Sequence, residues 1–236
     1  MLKSLYNPSS PYSAPMNQLD NSPACLSYLT IYNPSLKSLE PGDEDAQEQA
    51  HIVFYTSRDG AVSRDKLLRQ VGLAKALVSF AHAFGAHAPA IEVHSQRRRM
   101  VTISPEPGFW IHACLELRKT TRPAVECKQP KSGGKVQDKS QEPAAQAVVE
   151  YDESSVSDVA VQTQLQNGYE EFKIRHGSFT SILGALGKEA LALQLERFFT
   201  VWAGHWDVEA AADFVDDRLP VGATVGASRH RSRHSP

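Results

Sequence analysis

The residues able to do chemistry in this 236-residue chain are nine histidines, three cysteines, a triple arginine and a short carboxylate run. A zinc site needs ligands at set spacing, such as two histidines at i and i+4 on a helix with a third ligand nearby. His82 and His87 flank a loop, while His94 and His112 fall in different strands, so spacing assembles no metal set and no cofactor is expected. Ser63-Arg64-Asp65 resembles no nucleophile elbow, and Gly-Xaa-Ser-Xaa-Gly does not occur. Lys131-Ser-Gly-Gly-Lys135 lacks the spacing of a phosphate loop. Asp43, Glu44 and Asp45 lie in a polar stretch with nothing to raise a carboxyl pKa, and read as a solvating run. Arg97-Arg98-Arg99 is the sharpest basic cluster, and in a hairpin turn it reads as a solvated turn or a protein-contact patch. No catalytic residue is expected from this inventory.

Composition sets wider bounds. The formal net charge is −2, so no overall field draws the chain to nucleic acid or to an anionic membrane. No run reaches the roughly 18 apolar residues that a spanning helix needs. The first 23 residues are rich in Pro, Ser and Asn and contain no signal-peptide core, so they read as a flexible arm. Cys25, Cys114 and Cys127 are too unevenly spaced for a disulfide framework. Cys25 and Cys114 sit in apolar runs and read as small core residues of a reducing, cytoplasmic compartment.

The order of elements follows from period and punctuation. Residues 25–32 form a strand with bulk on both faces, closed by Asn33-Pro34. Residues 35–50 read as an acidic mobile connection, and residues 51–56 as a second strand. A long helix follows, then strands at 91–94, 100–104 and 109–117. In the last of these Phe109, Ile111, Ala113, Leu115 and Leu117 share one face while Trp110, His112 and Cys114 share the other, as in a central strand covered on each side. Residues 119–146 read as a disordered insertion. Two helices, 156–176 ended by Gly177 and about 186–206, precede a weakly patterned tail at 207–236 with a basic end. The lengths suit one domain over residues 24–206.

The long helix, Ser63 to Phe84, organises the rest. Ser63 is the N-cap, Asp65 suits the dipole and Gly85 stops the run. Its apolar residues make two stripes: Leu67, Val71, Ala74 and Val78 on one side, and Leu73, Leu77, Phe80 and Phe84 on the other. Together they span about 180°, where a helix on one sheet needs about 100°. The surplus points either to a second body beyond the home sheet or to a helix sunk between two layers of one domain, which the pattern alone does not separate.

Several stretches are similar to a known family in order: Leu29-Thr-Ile-Tyr-Asn-Pro34, Ile52-Val-Phe-Tyr55, Val71-Gly-Leu-Ala-Lys-Ala-Leu-Val-Ser-Phe80, His94-Ser-Gln with Glu106-Pro-Gly-Phe-Trp110, Val149-Glu-Tyr151, Gly177-Ser-Phe179 and Leu195-Glu-Arg-Phe-Phe199. They resemble the N-terminal part of the CCZ vacuolar fusion proteins over about residues 25–206. The resemblance implies an α/β (α+β) longin fold: a mainly antiparallel five-stranded sheet with one long helix on one face and two on the other. It implies pairing with a MON-family longin protein, so that the pair acts as guanine-nucleotide exchange factor for a Rab-seven-type GTPase in late-endosome, vacuole and autophagosome fusion. It implies peripheral attachment to those membranes through the complex, and further longin-like domains after this one. On that footing Leu73, Leu77, Phe80, Phe84, Ile91 and Val93 are the expected partner contacts. Tyr32, Asn33, Pro34, Arg69, Gly72, Lys75 and Ala76 are the expected GTPase-facing residues. The alternatives are a longin adaptor without exchange activity and a small enzyme with an unrecognised site.

Overall fold

The structure, a computed structural model, describes residues 21–38, 43–85, 90–122 and 148–209. Five strands, β1 (Cys25–Tyr32), β2 (Ile52–Ser57), β3 (Ala90–His94), β4 (Arg98–Glu106) and β5 (Phe109–Glu116), form one sheet. Their order is β2-β1-β5-β4-β3, with each neighbouring pair antiparallel. Helix α1 (Glu44–His51) leads into β2, and α2 (Arg64–Ala83) follows it. Strands β6 (Arg118–Arg122) and β7 (Val148–Asp152) form a separate antiparallel pair, and α3 (Asp158–His176), α4 (Phe179–Leu186) and α5 (Lys188–Gly204) complete the order.

Successive strand residues point to opposite faces, and the register turns that alternation into rows. One face carries Leu29, Ala113 and Val101 in one row and Phe54, Ile31, Ile111 and Ile103 in the next. These residues form the main core with Leu165, Phe172, Phe179, Leu195 and Phe199 of α3, α4 and α5. The Phe172 ring lies 5.2 Å from that of Phe179 and 5.8 Å from that of Phe199, so three helices share one aromatic knot. Gly168 sets the closeness of α3 and α5, since a Cβ there would come within 2.8 Å of the Trp202 ring. The other face carries Tyr28, Thr30, Tyr32, His112 and Cys114, and α2 lies on it through Val71 and Ala74.

The two sides are joined at the β4–β5 hairpin. Gly108 makes this turn at φ 81, a conformation that costs glycine little. Beside it the buried Glu106 carboxylate accepts hydrogen bonds from the Tyr169 hydroxyl at 2.8 Å, the Phe179 N–H at 2.6 Å, the Thr180 N–H at 2.8 Å and the Thr180 hydroxyl at 2.5 Å. Burial alone pushes this carboxyl up, but the bonds from Thr180, Tyr169 and Phe179 outweigh it and hold the group below its ordinary value. The carboxylate thus caps the first turn of α4 with a full charge and fixes the α3–α4 corner to the sheet.

Several sequence readings change. The acidic connection contains α1, capped when the Asp43 carboxylate accepts the Asp45 N–H. Of residues 119–146, read as a disordered insertion, 119–122 belong to β6, paired with β7, and 123–146 lie outside the described residues. Ser22, read as part of the arm, bridges to Lys119. Val208, read as tail, is buried, and the Glu209 carboxylate accepts from the Ala24 N–H and from Arg118. The last helix, read as about 186–206, is α5, and a further helix not read from the sequence, α4, precedes it; Gly187, at φ 86, separates the two.

Glu106→Gln removes the charge and turns an amide N–H2 toward donors. A loss of about 1–3 kcal/mol is expected in urea unfolding at pH 7. Because the folded-state carboxyl titrates below its ordinary value, its contribution is present at neutral pH and fades as pH falls through the folded value. Wild type and variant should therefore converge in acid; equal stability at pH 7 would refute the role given to this carboxylate.

Candidate functional site: the outer face of the long helix and the strand beside it

Helix α2 begins where the Ser63 hydroxyl accepts the Lys66 N–H, and it ends at Phe84 before Gly85 at φ 74. Val71, Ala74 and Val78 are buried, and Leu67 packs with Val71 and Ala74 against Tyr32, Ile52, Tyr55 and Trp110. The other stripe faces out: Leu73 is 46% exposed, Phe80 65% and Phe84 75%, with Leu77 half-buried. Phe80 and Phe84 stack on each other at 4.6 Å, so the outer apolar surface is one patch. Helix α2 also packs against β3.

Of the two β3 residues expected at a partner contact, Ile91 is buried in its own domain and Val93 is half-buried. Both share the α2 face of the sheet, in register with Thr102 and Met100. Ile91 offers no surface to a partner, because its side chain is already buried within its own domain.

The residues expected to face a GTPase divide likewise. Tyr32 is buried against Val71 and Ala74, and Asn33 is buried with its side-chain oxygen accepting from the Ser35 N–H and hydroxyl. Neither offers a surface, since both are spent in closing the end of β1. Pro34, Arg69 and Ala76 are exposed and Gly72 is half-buried. The Lys75 ammonium is engaged by the Glu48 carboxylate at 2.5 and 2.7 Å and by His51 Nδ1 at 2.9 Å, which ties α2 to α1. The spacing of Lys75 on α2 gave no sign of that clamp, because α1 itself was read as loop.

Beneath α2 the sheet is polar. His112 is fully enclosed, with Nδ1 at 2.7 Å from the Thr102 hydroxyl and Nε2 at 3.2 Å from the Tyr28 hydroxyl, and Tyr28 stacks on Tyr55. Burial pushes the imidazole down to about 4, so it is neutral and both ring nitrogens are satisfied. This bed holds structure and offers no substrate access.

On the opposite face, Glu92, His94 and Asp158 bring ligand atoms within 4.8 Å of one another. Spacing alone did not bring these three together, since they converge only when α3 crosses β3. Their partners are internal. His94 Nε2 meets Asp158 at 2.7 Å, Gln162 donates to Glu92, and the buried Arg99 sits 3.7 Å from Asp158 while donating to the Glu153 carbonyl. A guanidinium in that position competes with a cation, and the cluster acts as an ion-pair tie between β3, β4 and α3. Arg99 is thus not a solvated turn residue, whereas Arg98, paired with Glu116, and Arg97, over the Tyr151 ring, both keep to the surface.

An antiparallel five-stranded sheet with one long helix on one face and the C-terminal helices on the other is the longin fold. Residues 26–177 match the family described as the first longin domain of INTU, CCZ1 and HPS4, and the chain belongs to that family. It is similar to proteins named vacuolar fusion protein CCZ1 homolog: 29% identical over 184 residues to those of Tetraodon nigroviridis and Danio rerio, covering 78% of this chain and 33% of each relative. The homolog of Xenopus tropicalis is 29% identical over 177 residues, 75% of this chain and 32% of its own. The chain therefore spans about a third of the length of the curated relatives it matches. No described helix is long and apolar enough to cross a membrane.

The neutral His112 has a pH signature. Its folded value lies below the ordinary imidazole value of about 6.5, so the unfolded chain takes up the proton first and stability falls as pH drops from about 6.5 toward 4. Between pH 6.5 and 5, above the carboxylate range, wild type should lose stability in urea titrations more steeply than His112→Gln, which keeps only the smaller slope of His51, itself held below the ordinary value by burial and by Lys75. Parallel slopes would show that this imidazole is not the titrating group.

Proposed function

We propose that this chain is one half of a longin heterodimer, pairing through the outer stripe of α2 with a MON-family longin protein. The pair is a guanine-nucleotide exchange factor for a Rab-seven-type GTPase, working peripherally on late-endosome and vacuole membranes, with autophagosome fusion among its uses. The observation that carries this reading is the exposure of Leu73, Phe80 and Phe84 on a capped, firmly seated helix. Isolated exposed apolar residues are ordinary, but a contiguous aromatic patch on one helix is a mark of an interface. Membership in the family and likeness to proteins named vacuolar fusion protein CCZ1 homolog support a role in vacuolar fusion.

Exchange needs no covalent step. A factor that binds the nucleotide-free GTPase more tightly than the loaded form shifts the equilibrium toward release. The groups such a surface requires are rigid and complementary, which suits Pro34, Arg69 and Ala76 at the exposed flank of α2 and the turn after β1. A longin adaptor without exchange activity shares all of the dimer chemistry and differs only in the GTPase assay.

Replacing Leu77 and Phe80 together by Asp should reduce co-purification with the MON protein by about tenfold or more, because two desolvated apolar anchors become charges. An unchanged yield of complex from a folded variant would overturn the pairing surface. In nucleotide-release measurements on Rab-seven loaded with a fluorescent guanine nucleotide, this chain alone should be nearly inactive and the complex with the MON protein active. Full activity of the single chain would refute a shared site, and an inactive complex would leave the adaptor reading.

A further inference from the structure

An unpaired strand offers a row of N–H and C=O groups to any extended chain, and folded proteins blunt such edges with charge, proline or a covering element. Among the described residues the sheet ends at β3 on one side and β2 on the other. Strand β3 is short and blunted: it carries Glu92 and His94, which are held by Gln162 and Asp158. Strand β2, Ile-Val-Phe-Tyr-Thr-Ser, has neither a charge nor a proline over six residues.

The orientation of its main chain follows from its pairing. The Arg58 N–H donates to the Ser27 carbonyl, and Thr56 opposite Leu29 and Phe54 opposite Ile31 continue the same two-residue step. The alternation of an antiparallel ladder then turns Phe54 and Thr56 toward β1 and leaves the N–H and C=O of Tyr55 and the N–H of Ser57 pointing away from the sheet, while the Ser57 carbonyl accepts the Gly60 N–H. A groove of about 460 Å³ runs beside this edge. One wall is apolar, from Ala61, Val62 and Leu67 at the start of α2; the other is Ala192, Glu196 and Thr200 of α5. A second cleft of about 260 Å³ shares Thr56, Ser57 and Thr200 with the first, so the groove continues along the strand toward Cys25 and Trp206. Glu196 is exposed and has no ion pair among the described residues.

We propose that β2 is a strand-addition site: an extended segment of another protein lies in this groove and continues the sheet. Main-chain bonds to Tyr55 and Ser57 hold it in register. Its alternate side chains differ in kind, apolar toward Val62 and Leu67, small or basic toward Thr200 and Glu196. The site lies on the opposite edge of the sheet from β3, so it leaves the outer stripe of α2 free for a longin partner.

The probe is a fluorescein-labelled, acetylated octapeptide alternating Val with Thr and Lys, titrated against the full chain by anisotropy. A control peptide carries N-methyl groups on alternate residues of one bonding edge, and a second control methylates the other edge. Saturable binding is expected, lost about tenfold or more with one of the two methylated peptides, whose side chains are unchanged. Ser57→Pro removes an outward N–H without touching the β1 ladder and should weaken binding to a similar degree. Glu196→Lys, a surface change, should weaken the Lys-bearing peptide and favour its Glu-bearing counterpart. Amide exchange in the free chain should be fast at Tyr55 and Ser57 and should slow on adding the peptide. Absence of binding, or equal binding by both methylated peptides, would overturn the proposal. So would slow exchange at Tyr55 and Ser57 in the free chain, which would mean that another segment of this chain or a second copy already pairs with the edge.

Discussion

Five strands at about 4.8 Å spacing make a sheet some 20–24 Å across, whereas a single helix with its side chains covers about 10–12 Å. On the α3 side this mismatch is resolved by number: α3, α4 and α5 share the face. On the other side only α2 is present among the described residues, and the cluster it seals is small, Tyr32, Val71 and Ala74 with a few half-buried neighbours. The difference in cover governs what each face contains. The triple-helix side is apolar and aromatic, while the α2 side carries a polar row of Thr30, His112 and Thr102, bonded to the Phe54 carbonyl, to the Tyr28 hydroxyl and, between Thr102 and His112, to each other. Such a row tolerates thin cover, since its polar groups need partners more than they need exclusion from water.

Cover of the thick side depends in turn on a charge. Helices α3 and α4 meet at a corner, and a corner leaves first-turn N–H groups to be satisfied. Glu106 answers two of them and the Tyr169 hydroxyl at once, from a hairpin of the sheet itself. The aromatic knot of Phe172, Phe179 and Phe199 can close only with that corner in place, because Phe179 is both the first residue of α4 and a member of the knot. A desolvated carboxylate is worth keeping here because every donor around it is fixed.

Much of this could be read from the chain. Period two in 109–117 gave both faces of the central strand, and the two stripes of α2 were assigned to the sheet and to the outside as they stand. What could not be read has a common cause, in that the signal lay in a residue distant in sequence. Helix α1 is eight residues of polar sequence, stable because Lys75 and His51 hold it to α2, and no local pattern announces that. Arg99 belongs to a run of three arginines and is buried only because Asp158 and Glu153 arrive across it. Tyr32 and Asn33 looked like a loop entrance, yet the bulge at Ile31 and Tyr32 and the turn held by Asn33 draw them inward. Helix α4 is only eight residues between Gly177 and Gly187, too short for a period to show, and its first turn is satisfied by the distant Glu106.

The way α2 is fastened bears directly on what its outer face can do. The helix is held by its Ser63 cap, by the Tyr55 hydroxyl donating to Gln70 at 2.6 Å, and by the Lys75 clamp. Ala74, with no side-chain freedom to lose, brings it close to the sheet. These ties fall on the inward side and on one flank, and the Leu73, Phe80 and Phe84 side chains take no part in them. A surface presented in this way costs little further backbone entropy on association, so more of the apolar burial appears as affinity. A loose helix with the same stripe would bind by yielding, and the entropy of ordering it would be subtracted from the affinity.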